Sequence, residues 1–308
     1  MDGLLIINKP KGFTSHDVVA KLRKILSIQK TGHTGTLDPD ATGVLCVCVG
    51  KATKLAQYTS EFEKEYRVVM RLGVITDTQD ATGKVIKETE NFEISRDEIE
   101  DAFRKFTGNI KQIPPMYSAI KVGGTPLYRL ARKGKEISRE PRDVYIKEIK
   151  FIEYSGALVK FDVICSKGTY IRALCFDIGN YLGVGAHMHS LERLRSGDFH
   201  IKDAVTMEDV EELILSGTLE SKLISMEQAV AWMPFVRIKD SWEDGVRHGM
   251  ALTSESVSEI KGDFGKDSRI RILNSEGRLL AIGLAIYNSN ELMQEAKEKI
   301  FKIEKVLV

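Results

Sequence analysis

The longest apolar runs of this chain are all short enough to be strands. They cover residues 3–7, 44–49 and 279–286 and contain five to eight residues each. Runs of this length are typical of buried strands, whereas a membrane-spanning helix needs roughly 20 apolar residues. The N-terminus also lacks the basic, apolar and small-residue zones of a signal peptide. We therefore expect a sheet-based cytoplasmic protein with no membrane span.

Helix and strand patterns follow one another without regular βαβ alternation. A helix is predicted to begin with Ser15 as its N-cap, and Ser95 with Glu98 forms the capping box of another. Further helices are expected near 127–133 and 173–182, and strands near 65–72, 144–152 and 157–165. After Met233-Pro234 the pattern changes to short strands separated by turn signals. The sequence thus predicts an α+β protein with domains at 1–233 and 234–308.

The segment 31–43 is rich in Gly, Thr, Asp and Pro and has no hydrophobic period, so we predict a loop. It contains His33, Asp38 and Asp40 and lies between a predicted helix and an apolar strand. Long loops between core elements are often functional. The segment is therefore a candidate site, and a Gly/Asp turn without any chemistry is the alternative interpretation.

Residues Asp38 to Thr42 also match DxDxT, the nucleophile motif of aspartate-dependent phosphohydrolases. In that family the first aspartate ends an apolar strand beside a Mg²⁺ site. Here it follows Gly-His-Thr-Gly-Thr-Leu, which is not a buried strand. Three fixed positions in five arise often by chance, so this interpretation is disfavoured.

A second candidate is the segment 166–174, which is predicted to lead from a strand into a helix. Tyr170 and Arg172 would then project near the N-terminus of that helix. An arginine there would pair with a catalytic carboxylate and keep it ionised. A capping turn with a surface arginine is the alternative.

The cysteines and histidines do not indicate a metal site. Cys46 and Cys48 alternate within an apolar run, so both are expected on one face of a strand. Cys165 and Cys175 have neither CxxC spacing nor a matching histidine pattern. We expect buried thiols and no bound metal.

The formal net charge of +1 hides an uneven distribution. Residues 119–150 contain nine basic and four acidic side chains, an excess of +5. A local basic patch in a nearly neutral protein suits a polyanion that must be released after use. A solvated charged helix face is the alternative.

Taken together, these segments resemble one family closely, the TruB-type tRNA pseudouridine-55 synthases. In chain order the motifs are Lys9-Pro10-Lys11-Gly12 with Ser15, Gly32-His33-Thr34-Gly35 with Leu37-Asp38-Pro39, Ala41-Thr42-Gly43, Tyr66-Arg67 with Leu72-Gly73, Thr76-Asp77-Thr78 with Asp80, Tyr117-Ser118-Ala119 with Lys121, Leu127-Tyr128, Ala131-Arg132, and Lys167-Gly168-Thr169-Tyr170-Ile171-Arg172. The resemblance is strong over about residues 1–200. The segment 234–308 resembles a PUA-type RNA-binding domain only weakly.

The resemblance implies a pseudouridine synthase fold with a central mixed, mostly antiparallel sheet, followed by a small β-rich PUA-like domain. It also implies a monomer that isomerises uridine 55 in the T-loop of tRNA. Pseudouridylation detaches uracil from ribose, rotates it and rejoins it through carbon, so no redox change, group donor, cofactor or metal is needed. A closed pocket must retain the freed base after the nucleotide has been flipped out of the RNA.

The same resemblance implies roles for individual residues. Asp38 would be the catalytic carboxylate, Arg172 would hold it, and Tyr66 would stack on the target base and assist removal of its C5 proton. Tyr170 and Leu191 would line the uracil pocket. The remaining implied roles are a space-filling role for His33, pocket support from Lys9, and an RNA-clasping segment near 119–150. A non-catalytic tRNA-binding or RNA-folding protein is the alternative, and it would not need Asp38 and Arg172 together.

The basic excess at 119–150 generates a testable prediction. Neutralising Arg129, Arg132 and Lys133 should weaken tRNA binding and flatten its dependence on salt concentration. Each phosphate contact removed should lower the slope of log K against log[salt] by about 0.7–0.9. Binding measured over a salt series checks this, and an unchanged slope would favour the solvated helix face.

Overall fold

The computed structural model describes residues 1–292 and 299–308. The strands before residue 234 are β1 Gly3–Lys9, β2 Thr31–Thr34, β3 Thr42–Val49, β4 Lys64–Leu72, β5 Val74–Thr76, β6 Val85–Glu88, β7 Gly108–Gln112, β8 Lys121–Val122, β9 Thr125–Pro126, β10 Arg142–Ser155, β11 Leu158–Cys165, β12 Ala186–Ser196 and β13 Phe199–His200. The helices there are α1 Ser15–Leu26, α2 Ala56–Thr59, α3 Arg96–Lys105, α4 Leu127–Ala131, α5 Ile171–Tyr181, α6 Met207–Leu215 and α7 Met226–Ala229. The C-terminal part contributes β14 Phe235–Ile238, β15 Val257–Lys261, β16 Arg269–Leu273, β17 Leu279–Ala285 and β18 Phe301–Val306, with helix α8 Glu243–Arg247.

A nine-stranded sheet forms the centre of the described residues before 234. Its order is β1-β3-β12-β4-β11-β10-β7, with β2 also paired to β3 and β13 to β12. The β3–β12 pair is parallel and the other pairs are antiparallel. The predicted α+β class and mixed, mostly antiparallel sheet are confirmed.

Strands β1 and β3 are covered on both faces, which explains their continuous apolar sequences. On one face, Leu4 and Cys46 join a cluster with C-terminal residues, and on the other, Leu5 and Leu45 pack against helix α1. Cys46 and Cys48 lie in the same cluster, as their spacing predicts. The described part of the chain contains no cluster of three His, Cys, Asp or Glu side chains that would hold a metal ion.

Strand β4 alternates between a buried and a half-buried face. Its buried face presents Tyr66, Val68 and Met70 to a core that also contains residues of α3 and α5. The predicted capping box at the start of α3 is present, because the Ser95 and Glu98 side chains each accept a hydrogen bond from the other residue's backbone N–H.

No helix in residues 1–292 or 299–308 has both the length and the apolar character needed to cross a membrane.

Two local predictions are corrected by the structure. The N-cap of α1 is Thr14 rather than Ser15, and Thr14 forms a capping box with Asp17. Ser15 is buried instead, with its hydroxyl bonded to the backbone of Leu37. The segment 31–43 is also not a loop throughout, because residues 31–34 form strand β2, which pairs with β3 through backbone hydrogen bonds.

The C-terminal strands form a second sheet in the order β15-β14-β16-β17-β18. It does not stand apart from the rest of the described chain. Leu279 and Leu307 share one hydrophobic cluster with Leu4, Leu55 and Met226. At the same interface the Tyr58 hydroxyl donates to the Glu304 carboxylate at 3.1 Å, and the Lys54 ammonium donates to the Val306 carbonyl at 3.0 Å. The two parts of the chain are therefore joined by a shared core.

The shared core predicts that a C-terminal side chain stabilises the whole protein. Leu307→Ala should lower the free energy of unfolding by about 2–5 kcal/mol, because it opens a cavity in that cluster. Leu215→Ala is the matched control, since Leu215 is 88% exposed and its loss should cost less than about 0.5 kcal/mol. Denaturant unfolding measures both values, and equal losses would contradict the shared core.

Candidate active site

The loop between β2 and β3 holds Asp38 in a fixed turn. Leu37 and Ala41, on either side, are buried in the core cluster that also contains Tyr66 and Leu191. The Ala41 N–H donates to the Asp38 carbonyl at 3.1 Å, which closes the turn. The Ser15 hydroxyl accepts from the Leu37 N–H at 2.9 Å. The backbone of Asp38 is therefore held from both sides, and its carboxylate points out of the turn with 36% of the side chain exposed.

Arg172 grips this carboxylate at two points. Its Nε lies 2.9 Å from Oδ2 of Asp38, and its Nη2 donates to Oδ1 at 3.2 Å. The same guanidinium donates to the carbonyl oxygens of Tyr117 at 2.9 Å and Thr78 at 3.3 Å. Arg172 itself is buried as the second residue of α5. The predicted contact between Arg172 and Asp38 is present, and the arginine is not a surface residue.

A second carboxylate, Asp80, lies on the opposite side of Arg172, with Oδ2 3.7 Å from Nη1. Its Oδ1 accepts hydrogen bonds from the Thr78 hydroxyl at 2.7 Å and from the Thr82 hydroxyl at 2.6 Å. The sequence places Asp80 in a motif with residues 76–78 but does not predict its position beside Arg172. The polar loop after β5 was the available signal.

Burial opposes ionisation of the Asp38 carboxyl, and Arg172 favours the ionised form. Burial raises the pKa of the Asp38 carboxyl above its ordinary value, the nearby Arg172 lowers it, and Asp80 raises it again. Leu37, which directly precedes Asp38, is buried in the core, whereas 36% of the Asp38 side chain is exposed. An ionised Asp38 therefore depends on its arginine.

Lys9 contacts the loop that carries Asp38. It is fully buried at the end of β1, and its ammonium donates to the carbonyls of Pro10 at 3.0 Å, Phe13 at 2.5 Å and Pro39 at 2.9 Å. Burial lowers the pKa of Lys9 to about 8. Since Pro39 directly follows Asp38, Lys9 fixes the turn that carries the carboxylate.

Three apolar or aromatic residues predicted to line the site come from three different elements. Tyr66 and Leu191, on β4 and β12, are each 8% exposed and belong to the same cluster as Leu37. Tyr170 lies at the N-cap of α5, two residues before Arg172. Burial raises the pKa of both tyrosines. Tyr66 and Leu191 thus pack in the cluster that contains Leu37 of the Asp38 loop, and Tyr170 begins the helix that carries Arg172.

Arg193 is a buried residue that sequence reasoning missed. It is 1% exposed and lies opposite Tyr66 in the β12–β4 register. Its guanidinium donates to the carbonyls of Val44 at 2.6 Å and Gly35 at 3.0 Å, so it ties β12 to both ends of the loop that carries Asp38. Glu192 and Arg195 lie on the same strand, so the sequence has no signal that singles out Arg193.

His33 lies on β2 rather than in a loop. Its ring packs edge-on against His16, with ring centroids 5.4 Å apart, and its Nδ1 is buried without a hydrogen-bond partner among the described residues.

The predicted basic residues lie elsewhere, exposed on and after the short helix α4: Arg129, Arg132 and Lys133. Arg132 stacks over the Tyr128 ring at 5.7 Å. These three basic residues do not reach Asp38 and form a separate charged surface.

Family models match nearly the whole chain. The N-terminal domain of TruB family pseudouridylate synthases matches residues 23–171, the C-terminal domain of tRNA pseudouridylate synthase B matches 172–231, and the PUA domain matches 234–307. A tRNA pseudouridine synthase B of Clostridium perfringens is 41% identical over 309 aligned residues, covering 100% of this chain and 99% of the relative. The same enzyme of Geobacillus thermodenitrificans is 47% identical over 82% of this chain and 86% of its own length. The chain belongs to the TruB family of tRNA pseudouridine synthases.

Solved structures agree with this family. A Cbf5-Nop10-Gar1 complex contains a chain with a TM-score of 0.81 and 32% identity, which covers 99% of this chain and 85% of that one. An H/ACA RNP bound to a substrate RNA containing 2'-deoxyuridine contains another, with a TM-score of 0.80 and 30% identity over 99% of this chain and 85% of that one. The pseudouridine synthase fold with a C-terminal PUA domain is therefore confirmed, as is tRNA pseudouridine synthase activity. The phosphohydrolase interpretation has no support, and its second carboxylate, Asp40, is exposed.

The half-buried His33 predicts a pH-dependent stability of this TruB-family enzyme. Burial, together with His16 and Arg193, lowers the pKa of His33 to about 4, whereas a histidine of the unfolded chain titrates near 6.5. The unfolded chain therefore takes up the proton first, and stability is lost as pH falls from about 6.5 towards 4. Between pH 7 and pH 5 this group should remove about 2 kcal/mol from the free energy of unfolding.

The measurement compares denaturant unfolding at pH 7 and pH 5 for wild type and His33→Gln. The glutamine variant should lose about 2 kcal/mol less than wild type on acidification. His189→Gln is the matched control for the loss of a histidine side chain, because His189 is exposed on β12. Identical pH dependence in wild type and His33→Gln would contradict the assignment.

Proposed function

We propose that this enzyme isomerises uridine 55 in the T-loop of tRNA, with Asp38 as its catalytic carboxylate. The observation that carries the proposal is the two-point contact of Asp38 with the buried Arg172, beside the apolar wall formed by Tyr66 and Leu191. A carboxylate held in one orientation next to an apolar wall suits chemistry on a flipped base. Base recognition by stacking and by loop shape is typical of RNA-modifying enzymes.

The chemistry balances without an added reagent. The bond between N1 of uracil and C1' of ribose breaks, the ring turns, and C5 bonds to C1'. One proton leaves C5 and N1 gains one, so the product is an isomer of the substrate. Attack of Asp38 on the ribose, attack on the uracil ring and removal of a sugar proton all require an ionised carboxylate. Arg172 supports that ionised state, since it lowers the pKa of Asp38.

The neighbouring residues take supporting roles in this proposal. Tyr66 stacks on the uracil and assists removal of the C5 proton, and Tyr170 with Leu191 confines the freed base. Confinement matters because a detached uracil that escaped would leave an abasic RNA. His33 fills the space that the uridine vacates in the T-loop. Lys9 supports the pocket by holding the Asp38–Pro39 turn through the Pro39 carbonyl at 2.9 Å.

The RNA contacts divide between two surfaces in this proposal. The exposed Arg129, Arg132 and Lys133 meet the phosphate backbone of the T-arm, as part of a clasping segment near 119–150. Residues 1–233 carry the catalysis and 234–308 form the PUA domain, which adds RNA contacts. We further propose a monomer, because one chain supplies Asp38, Arg172 and the wall residues together.

The central test is the substitution Asp38→Asn, which keeps the shape but removes the charge and most nucleophilic or basic power. tRNA binding should survive within about tenfold, and isomerisation should fall by at least about 10⁴, roughly 5.4 kcal/mol of barrier. Asp40→Asn is the matched control on the same turn and should cost little. Pseudouridine formation mapped by carbodiimide-blocked reverse transcription, with EDTA present, measures all three enzymes. An Asp38→Asn enzyme that turns over normally would refute the proposal.

A further inference from the structure

Gln112 makes an unusual pair of contacts at the edge of the main sheet. It is the last residue of β7 and is only 2% exposed. Its Oε1 accepts a hydrogen bond from the Tyr170 N–H at 2.8 Å, and its Nε2 donates to the Tyr170 carbonyl at 3.0 Å. A neighbouring strand would satisfy these two backbone groups in the same manner. The side chain of Gln112 thus forms with the Tyr170 backbone the two hydrogen bonds that a paired strand would otherwise form.

That residue is the point at which helix α5 begins. Tyr170 is the N-cap, with an extended backbone (φ −97°, ψ 107°), and its own side chain makes no capping hydrogen bond. The body of the helix is fixed by Leu174 and Ile178, which are buried in the core. The entry turn is fixed by Gln112. Because Arg172 follows two residues later, the direction of its side chain depends on that turn.

The chain that continues from Gln112 returns to the same arginine. Pro114 and Pro115 are buried and have restricted backbone angles, and the Tyr117 carbonyl then accepts from Nη2 of Arg172 at 2.9 Å. Residues 112–117 therefore contact the turn at 170–172 at both ends. Residues 112–117 lead directly into the basic segment 119–150.

We propose that Gln112 is a positioning residue for the catalytic pair, holding the Tyr170 turn in the orientation from which Arg172 reaches Asp38. The inference rests on the proposed role of Asp38. Without the amide, the Tyr170 N–H loses its partner and the Tyr170 carbonyl keeps only the hydrogen bond from the Leu174 N–H at 3.0 Å, so the turn is free to reorient. A two-point contact between a guanidinium and a carboxylate is sensitive to such a shift. Gln112 acts through Arg172 and contacts neither the base nor the reacting atoms.

The first measurement uses Gln112→Met, which keeps the length of the side chain but makes neither hydrogen bond. Lys111→Met is the matched control, because Lys111 is the exposed neighbour on the same strand. Single-turnover pseudouridine formation at saturating enzyme should slow about 10- to 100-fold in Gln112→Met and stay at the wild-type rate in Lys111→Met. The Kd for tRNA should change less than about twofold. A loss confined to tRNA binding would overturn the proposal.

A double-mutant cycle separates positioning from general damage to the fold. If Gln112 acts through Arg172, then Gln112→Met should add little to the defect of Arg172→Lys. A merely structural role predicts that the two rate losses multiply, and that result would overturn the proposal. If Gln112→Met melts at too low a temperature for the assay, Gln112→Asn replaces it, since it keeps the amide but is one methylene too short to reach both Tyr170 groups.

The pH profile gives an independent check. Arg172 lowers the pKa of Asp38, so a loosened Arg172 leaves that pKa higher. Ionised Asp38 is then lost at a higher pH on acidification, and the acid limb of the single-turnover profile should move to higher pH in Gln112→Met. An unmoved limb would overturn the role of Gln112. If the rate losses of Gln112→Met and Arg172→Lys multiply and Asp38→Asn is inactive, only the role of Gln112 is refuted. If Asp38→Asn is active, the proposed function is refuted as well.

Discussion

The contact between Arg172 and Asp38 joins four segments that are distant in sequence. One guanidinium reaches the Asp38 carboxylate, the Thr78 carbonyl, Asp80 and the Tyr117 carbonyl. A buried ion pair is a weak source of stability, because the cost of removing both charges from water offsets their attraction. Its contribution here is geometric. The carboxylate can take only the orientation that its arginine allows, and α5 fixes the arginine within the hydrophobic core.

Backbone carbonyls, rather than acids, satisfy the other buried cations around the site. Lys9 donates to three carbonyls and Arg193 to two. Carboxylates in those places would add negative charge near Asp38 and would raise its pKa further. Carbonyl dipoles satisfy the donors with no net charge. The negative charge close to Arg172 is therefore concentrated on Asp38 and Asp80. Arg172 directly contacts the Asp38 carboxylate and lowers its pKa.

The sequence predicted those features that leave a local pattern. The pattern of residues 65–72 predicted strand β4, and the Ser95–Glu98 pair predicted the start of α3, because both depend on near neighbours. Strand β2 was missed because it pairs through backbone hydrogen bonds and its short sequence has no apolar period. At α1, Thr14 and Ser15 are both good N-caps, and only the tertiary contact of Ser15 with Leu37 decides between them.

The same reasoning explains which parts of the site were found. Asp38 lies in a segment with unusual composition, and Arg172 lies where a predicted strand leads into a predicted helix, so each could be singled out before their contact was known. Asp80 lies in a recognisably polar loop, but its approach to Arg172, like that of the Tyr117 carbonyl, is decided only after the sheet has formed. Gln112 has no local signal at all, since an amide that pairs with a distant backbone resembles any other polar residue at a strand end.

Strand β3 connects the turn that carries Asp38 to the C-terminal domain. It begins at Thr42–Gly43, directly after that turn, and Gly43 has φ +97° with space only for hydrogen, since a Cβ would lie 2.3 Å from the Arg193 carbonyl. Further along, one face of β3 packs in the cluster that contains Leu279 and Leu307. The PUA domain and Asp38 therefore belong to one packed frame.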